Sequence, residues 1–252
     1  ARLDPGRSIS ATSEKLSVRY HSYEDVRFKD FVCALLRAHW PRRQLPDFTS
    51  PGSPALFKSK PGPGRLTVRR LFQRLNSFLT EDMVVVADVG DALFGAADLY
   101  IRHRTEFLGP AYYASMGFAV PAGIGAQFAA PGLRPLILVG DGAFQMTGME
   151  LATAARYGLN PIVVVLNNHG YGTERHMQDG VYNDVAIWKY HKLPEVLGRG
   201  RGFLIRTEGE LNNALEEAKS HTESFCILEV QLDPLDRSPA LQRLAELLEK
   251  NI

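Results

Sequence analysis

From residue 66 onward the apolar positions follow two rhythms. Leu66 to Leu79 places Val68, Leu71, Phe72, Leu75 and Phe78 at steps of three and four, which predicts an amphipathic helix. Met83 to Ala87, Leu136 to Gly140, Ile162 to Asn167, Gly202 to Arg206 and Phe225 to Val230 are short apolar runs instead. Such runs predict strands of a parallel sheet buried on both faces. Helical stretches are expected between them: near Leu93 to Tyr100, over the Gly- and Ala-rich Tyr112 to Ala130, and over Phe144 to Tyr157. Pro121 either sits in the first turns of the second of these or kinks it. Thr207-x-x-Glu210 is a capping box that opens a helix running to Lys219. A last helix is expected over Pro239 to Leu248. Strands alternating with helices predict an α/β fold, a doubly wound parallel sheet of at least five strands flanked by helices.

The first 65 residues follow no such rhythm. Ser17 to Tyr20 reads as a short strand and Phe28 to Leu36 as a helix, too little to close a core. Residues 41–64 hold six prolines with several Gly and Ser, the composition of an extended linker. The expected organisation is a domain tail over 1–40, a Pro/Gly-rich linker over 41–65 and the α/β domain over 66–252. The first methionine is Met83, so a processed chain or a piece of a longer one is expected.

The chemistry concentrates between Gly140 and Glu174. The run Leu136 to Val139 stops in Gly140-Asp141-Gly142, and the run Ile162 to Leu166 stops in Asn167-Asn168. A strand that ends in glycines and opens into a helix leaves backbone N–H groups free for a phosphate. Two parallel strands ending side by side bring Asp141 and Asn168 together at the carboxyl edge, where α/β sheets bind ligands. A carboxylate and an amide oxygen are hard ligands, suited to magnesium already held by a diphosphate. No Cys or His lies between them, which gives zinc no support.

GDG followed after twenty-four residues by NN resembles the signature of thiamine-diphosphate enzymes. Asp88 to Asp91, Ala111 to Phe118, GDGAFQMTGMEL and NNHGYGTER are together similar to the diphosphate-binding domain of the 2-oxo acid decarboxylases, that is, pyruvate, indolepyruvate and phenylpyruvate decarboxylase. Residues 1–40 look like the tail of that family's central domain. The resemblance implies thiamine diphosphate and Mg2+ as cofactors. It implies Asp141, the side chain of Asn168 and the backbone carbonyl of Gly170 as metal ligands, with Gly142 and Ala143 at the diphosphate. Met116 matches the apolar wedge that bends the cofactor, and the carbonyl of Ala114 matches the acceptor from its aminopyrimidine. Asp88, Gly90, Asp91 and Gly140 fall in the same cofactor-binding phrases. Thr173 and Leu93 match positions lining the cofactor and substrate side. Glu174 matches the acid that protonates the reacting carbon after CO₂ leaves. His169, in a place where many relatives carry Asp, is expected to point outward. His176 and His191 have no motif around them and are read as surface residues.

The implied activity is the non-oxidative decarboxylation of a 2-oxo acid to an aldehyde. Glu174 argues against a carboligase of the acetolactate-synthase type, and the Asp141, Asn168 and Gly170 set argues against a non-catalytic partner with the same fold. The family's activating glutamate lies on a separate pyrimidine-binding domain, which this chain does not contain. A pyrimidine-binding domain or subunit is therefore an expected partner, in a homo- or hetero-oligomer. The remaining composition changes little. A net charge of +1 with 23% charged residues gives no argument for nucleic acid or an anionic membrane. No run reaches the about 18 apolar residues of a membrane span. Cys33 and Cys226 are far apart in apolar runs and are read as buried reduced thiols of a cytoplasmic protein.

Overall fold

The computed structural model describes residues 4–39, 64–101, 106–175 and 177–249. Most of the Pro/Gly-rich stretch, up to residue 63, and His176 lie outside them. The chain divides into two units, Ala1–Thr49 and Ser50–Ile252. The first holds an antiparallel meander of β1 (Ile9–Ala11), β2 (Lys15–Val18) and β3 (His21–Glu24), followed by α1 (Phe28–Arg37). The turn between β2 and β3 is the two residues Arg19 and Tyr20, since Val18 pairs with His21. Arg19 takes the left-handed φ of 55° that such tight hairpins require. No residue of α1 is buried, in keeping with a segment too short to close a core. Cys33 is half-buried rather than buried, while Cys226 is buried.

The second unit runs α2 (Val68–Phe78), β4 (Met83–Ala87), α3 (Asp91–Ala96), β5 (Glu106–Leu108), α4 (Ala119–Ala129), β6 (Arg134–Gly140), α5 (Asp141–Thr147), α6 (Leu151–Tyr157), β7 (Ile162–Asn167), α7 (Gly172–Arg175), α8 (Leu193–Leu197), β8 (Arg201–Ile205), α9 (Glu208–Ser220), β9 (Cys226–Gln231) and α10 (Pro239–Glu249). The described strands form one sheet in the order β5-β4-β6-β7-β9-β8, with every pair parallel. Along β7, Ile162, Val164 and Leu166 enter one core layer while Val163 and Val165 enter the other. The first layer is closed by Leu71 and Leu75 of α2 and Leu215 of α9, the second by Ile124 of α4, Phe144 of α5 and Leu151 of α6. This period of two across a sheet covered on both faces is the doubly wound architecture. All five apolar positions expected on α2 are buried, and the Thr207–Glu210 capping box is formed. No described helix is long and apolar enough to cross a membrane.

Departures from the expected elements occur in both units: in the first, β1 and β3 are additional strands, and Arg19 and Tyr20 form a turn where a strand over Ser17 to Tyr20 is expected. β5 is an extra edge strand of three exposed residues, too short and too polar in its surroundings to show a period. The helix expected from Tyr112 begins only at Ala119. Before it, Ala114 and Gly117 have φ of 52° and 81°, which no helix accommodates, and Pro121 falls in the first turn, where a missing N–H costs nothing. The helix expected over Phe144 to Tyr157 starts at Asp141 and is interrupted at Gly148–Glu150 by a 3₁₀ turn. There the Phe144 ring lies against Gly148, 2.3 Å from where a Cβ would stand. The helix expected near Leu93 to Tyr100 starts and ends earlier, at Asp91–Ala96.

Leu138, wholly buried in β6, faces the layer under α2 and α9. Its replacement by Ala is expected to cost about 2–5 kcal/mol. Thr207→Ala, which breaks only a cap, is expected to cost about 1 kcal/mol. Urea unfolding of the two variants checks the ranking, and equal losses would contradict this assignment of the core.

Candidate functional site

The site is built where β4, β6 and β7 end. The register pairs Gly140 of β6 with Leu166 of β7, so Asp141 and Asn167-Asn168 leave the sheet side by side. Asp141 is 1% exposed. Its Oδ1 accepts from Gly142 N at 2.7 Å and its Oδ2 from Gly170 N at 3.0 Å. The carboxylate thus lies against the loop that carries Asn168 and Gly170. Desolvation nonetheless wins: burial raises Asp141 from 3.8 to about 6 against these hydrogen bonds and the positive charge of Arg175.

The loop after β7 is tightly determined. His169 has a left-handed φ of 62° and is half-buried. Gly170 pairs with Asp184, and a Cβ at Gly170 would meet the Asn183 carbonyl oxygen at 2.1 Å. Tyr171 N donates to that same carbonyl at 2.8 Å. The Tyr171 ring covers Gly142, 2.5 Å from a Cβ there, and the Asn168 amide lies 2.3 Å from a Cβ at Gly172. Side chains at these glycines would displace the loop or the amide. Arg175 clamps the arrangement from below. Its guanidinium donates to Asp179 at 2.9 Å, to Asp184 at 2.5 Å and to the His169 carbonyl at 3.2 Å. Glu174 is on α7 and exposed.

On the other side, Asp88 follows β4 and is wholly buried. Its carboxylate accepts from the N–H groups of Val89, Gly117 and Ala119 at 3.0, 3.1 and 2.8 Å. Burial still raises its pKa, with these bonds opposing. Asp88 therefore holds the segment that presents Ala114 and Met116. Thr147 Oγ1, at the end of α5, donates to the Gly117 carbonyl at 2.8 Å and joins that segment to the helix that starts at Asp141. Met116 is partly buried against the core layer under α4 and α5, whereas Ala114 is exposed. Gly90 has φ of 76°, and a Cβ there would lie 3.3 Å from Thr173 Oγ1, so the two predicted positions face each other. Leu93 packs toward Gly109, with Cδ1 3.0 Å from a Cβ at that glycine. Asp91 is turned elsewhere: Oδ2 accepts from Ser238 N at 2.8 Å, at the start of α10, and Oδ1 is buried with no hydrogen-bond partner among the described residues.

Sequence reasoning missed the residues that hold this loop. Arg175, Asn183 and Asp184 act through contacts that no local pattern encodes. Glu229 had a signal, a lone acid inside the apolar run of β9. His191 is not a surface residue: its ring Nδ1 lies 2.5 Å from Glu229 Oε2, and the ring is mostly covered. Beside it, Tyr190 is buried, accepts from Gln145 of α5 at 2.8 Å, and is raised to about 12 by burial, with the charges of Asp141 and Glu229 adding to the shift.

Among the described residues no three His, Cys, Asp or Glu side chains converge as metal ligands. An ion at this edge would be held by one carboxylate with amide and backbone oxygens, a set suited to a hard cation shared with an anionic ligand. A doubly wound parallel sheet with polar residues following adjacent strand ends has the architecture of α/β folds that bind ligands at the carboxyl edge. Residues 88–230, more than half of the chain, match the model of the thiamine pyrophosphate enzyme C-terminal TPP binding domain, and the chain belongs to this family. It is 36% identical over 241 residues to an alpha-keto-acid decarboxylase of Mycolicibacterium paratuberculosis, covering 93% of this chain and 43% of that protein. It is 33% identical over 248 residues to an indole-3-pyruvate decarboxylase of Azospirillum brasilense, covering 97% and 45%. The chain thus spans less than half the length of these curated relatives.

The raised pKa of Asp141 has a signed consequence. Between roughly pH 4 and 6 the native chain keeps a proton there that the unfolded chain has released. The associated stability is complete below the unfolded value and is lost as pH rises through about 6. Asp141→Asn removes this pH dependence, so the stability gap between the variant and the unsubstituted metal-free chain is expected to shift in the variant's favour by on the order of 1–3 kcal/mol between pH 4 and pH 7. Urea midpoints measured across this range in a chelator check it; a gap independent of pH would be the contrary result.

Proposed function

We propose that this chain is the diphosphate-binding part of a magnesium- and thiamine-diphosphate-dependent 2-oxo acid decarboxylase, which releases CO₂ without oxidation and leaves an aldehyde. The observation that carries the reading is the buried Asp141 carboxylate at the paired ends of β6 and β7, hydrogen-bonded to Gly170. Its surroundings undersupply positive charge, as its pKa of about 6 expresses, and a divalent cation supplies it. The names of the relatives support the reaction class.

In this reading Asp141, the side chain of Asn168 and the carbonyl of Gly170 hold Mg2+. Gly140, Gly142 and Ala143 line the diphosphate, and Gly90 and Thr173 bound the cleft beside it. Met116 supports the bend of the cofactor, and the Ala114 carbonyl accepts a hydrogen bond from its aminopyrimidine. Asp88 fixes the segment that carries both, and Asp91 anchors α10 beneath them. When bound, the cofactor supplies the carbon nucleophile and the electron sink that decarboxylation needs. Glu174 then delivers the proton to the reacting carbon. Leu93 and Thr173 leave space for the side chain of the oxo acid.

Glu174 is exposed in this chain, and a proton donor works best in a site closed to water. Tyr112 and Tyr113, 94% and 84% exposed next to Ala114, and Val181 and Ile187, 87% and 81% exposed beyond Gly170, are apolar groups around the same edge. These exposures support a covering partner, the pyrimidine-binding domain or subunit, in an oligomer.

Calorimetry with Mg2+ and thiamine diphosphate tests the site, and assay of the complete enzyme for aldehyde tests the reaction. Asp141→Ala is expected to abolish magnesium-dependent binding. Glu174→Gln is expected to retain binding and to lower aldehyde formation by about 10²–10⁴-fold. Binding unaffected by Asp141→Ala, or a hydroxyketone as the main product, would refute the proposal.

A further inference from the structure

Glu229 is 2% exposed, in the middle of β9, between two apolar core layers. The proposed chemistry does not use it. A carboxylate in such a place persists only if its oxygens are well satisfied, and here three donors reach it. Asn167 Nδ2 donates to Oε1 at 2.8 Å, His191 N donates to Oε2 at 3.1 Å, and the His191 ring Nδ1 lies 2.5 Å from Oε2. The partners come from two separate segments of the site. Asn167 is the last residue of β7, immediately before Asn168. His191 ends the segment that begins beyond Arg175 and carries Asn183 and Asp184, which pair with Tyr171 and Gly170. That segment is also fastened to α5, through Gln145 to the Ala186 carbonyl at 2.5 Å and to the Tyr190 hydroxyl at 2.8 Å.

We infer that Glu229 is a positioning residue: from inside the sheet it fixes both Asn167 and His191, and so holds the Asn168–Gly170 loop in the geometry that receives the ion. It touches neither ion nor cofactor. The strand end reaches it through one side-chain amide and the 181–191 segment through one imidazole and one backbone N–H, so a single carboxylate adds a tie from inside the sheet to two pieces of chain that meet above it at the Gly170–Asp184 bridge and the Tyr171–Asn183 hydrogen bond. Glu229→Leu keeps the approximate size but removes both acceptors, so the Asn167 amide, the His191 N–H and the imidazole lose their common partner together.

The inference rests in part on the proposed function, and its test separates the two. Amide hydrogen exchange by mass spectrometry is read on the whole 252-residue chain, along with binding of Mn2+, as a paramagnetic stand-in for Mg2+, in the presence of thiamine diphosphate. Glu229→Leu is expected to speed exchange about tenfold in residues 168–172 and 181–191 and to leave β4 unchanged. It is also expected to weaken Mn2+ binding by about tenfold, as loss of an outer-shell partner does. His191→Ala is expected to loosen 181–191. His191→Asn, whose amide takes the place of Nδ1, is expected to restore protection, and this pair decides the matter if the Glu229 variant does not fold. Unchanged exchange in both segments, or a uniform rise across the sheet, would overturn the inference, as would failure of His191→Asn to rescue. Failure of the unsubstituted chain to bind Mn2+ with the cofactor counts against the functional reading instead, because the exchange result does not depend on it.

Discussion

The pairing of β6 with β7 is the constraint on which the rest depends. Leu136 to Val139 of β6 and Ile162 to Leu166 of β7 alternate between the two core layers. A slip of one residue would exchange the two layers along an entire strand. With the register fixed, Gly140 stands opposite Leu166, and Asp141 has nowhere to lie except against the loop that follows β7. The sheet is thus a ruler. It sets the distance between two polar residues twenty-seven positions apart without any contact between them needing to be strong.

Three acids are buried in this unit among the described residues, and their surroundings differ. Asp88 meets three backbone N–H groups, and Glu229 meets an amide, a backbone N–H and an imidazole. Asp141 meets the N–H groups of Gly142 and Gly170, with the His169 N–H and the charge of Arg175 also acting on it, and burial still outweighs them. The first two are used as internal struts, one for the segment before α4 and the other for the two segments around Asn168. Asp141 lies at the carboxyl edge, where the proposed function places the ion. Burial without full compensation is a cost to the folded chain and an advantage to a cation site, and the same desolvation produces both.

The sheet was legible because burial on two faces leaves an unmistakable run of apolar residues. Met83 to Ala87 and Ile162 to Asn167 were read to the residue. Asp141 and Asn168 stand out as candidates because they follow the ends of those runs. What failed to show follows from the same physics. Tyr112 to Phe118 has helical composition, yet its path is set by the Asp88 carboxylate twenty-nine residues before Gly117, a contact that no local window contains. The strap of Asn183, Asp184 and His191 has no period because it is held by individual hydrogen bonds and not by a face. His191 looked like a surface residue since its partner, Glu229, is thirty-eight residues further along the chain.

The division of labour within one sheet explains how a stable fold tolerates such a site. The lower parts of β4, β6 and β7 are apolar and close-packed, and their side chains bury the two layers completely. At the carboxyl edge the layers give way to glycines, and the close approaches at Gly142, Gly170 and Gly172 are possible because no Cβ intervenes. Glycine weakens a strand interior, so these positions must come after the last paired residue. That is where they are found: Gly142 follows the end of β6, and Gly170 and Gly172 follow the end of β7. Polar chemistry is confined to the layer of chain just above the sheet, and Glu229 is the one buried acid that extends it downward into the core.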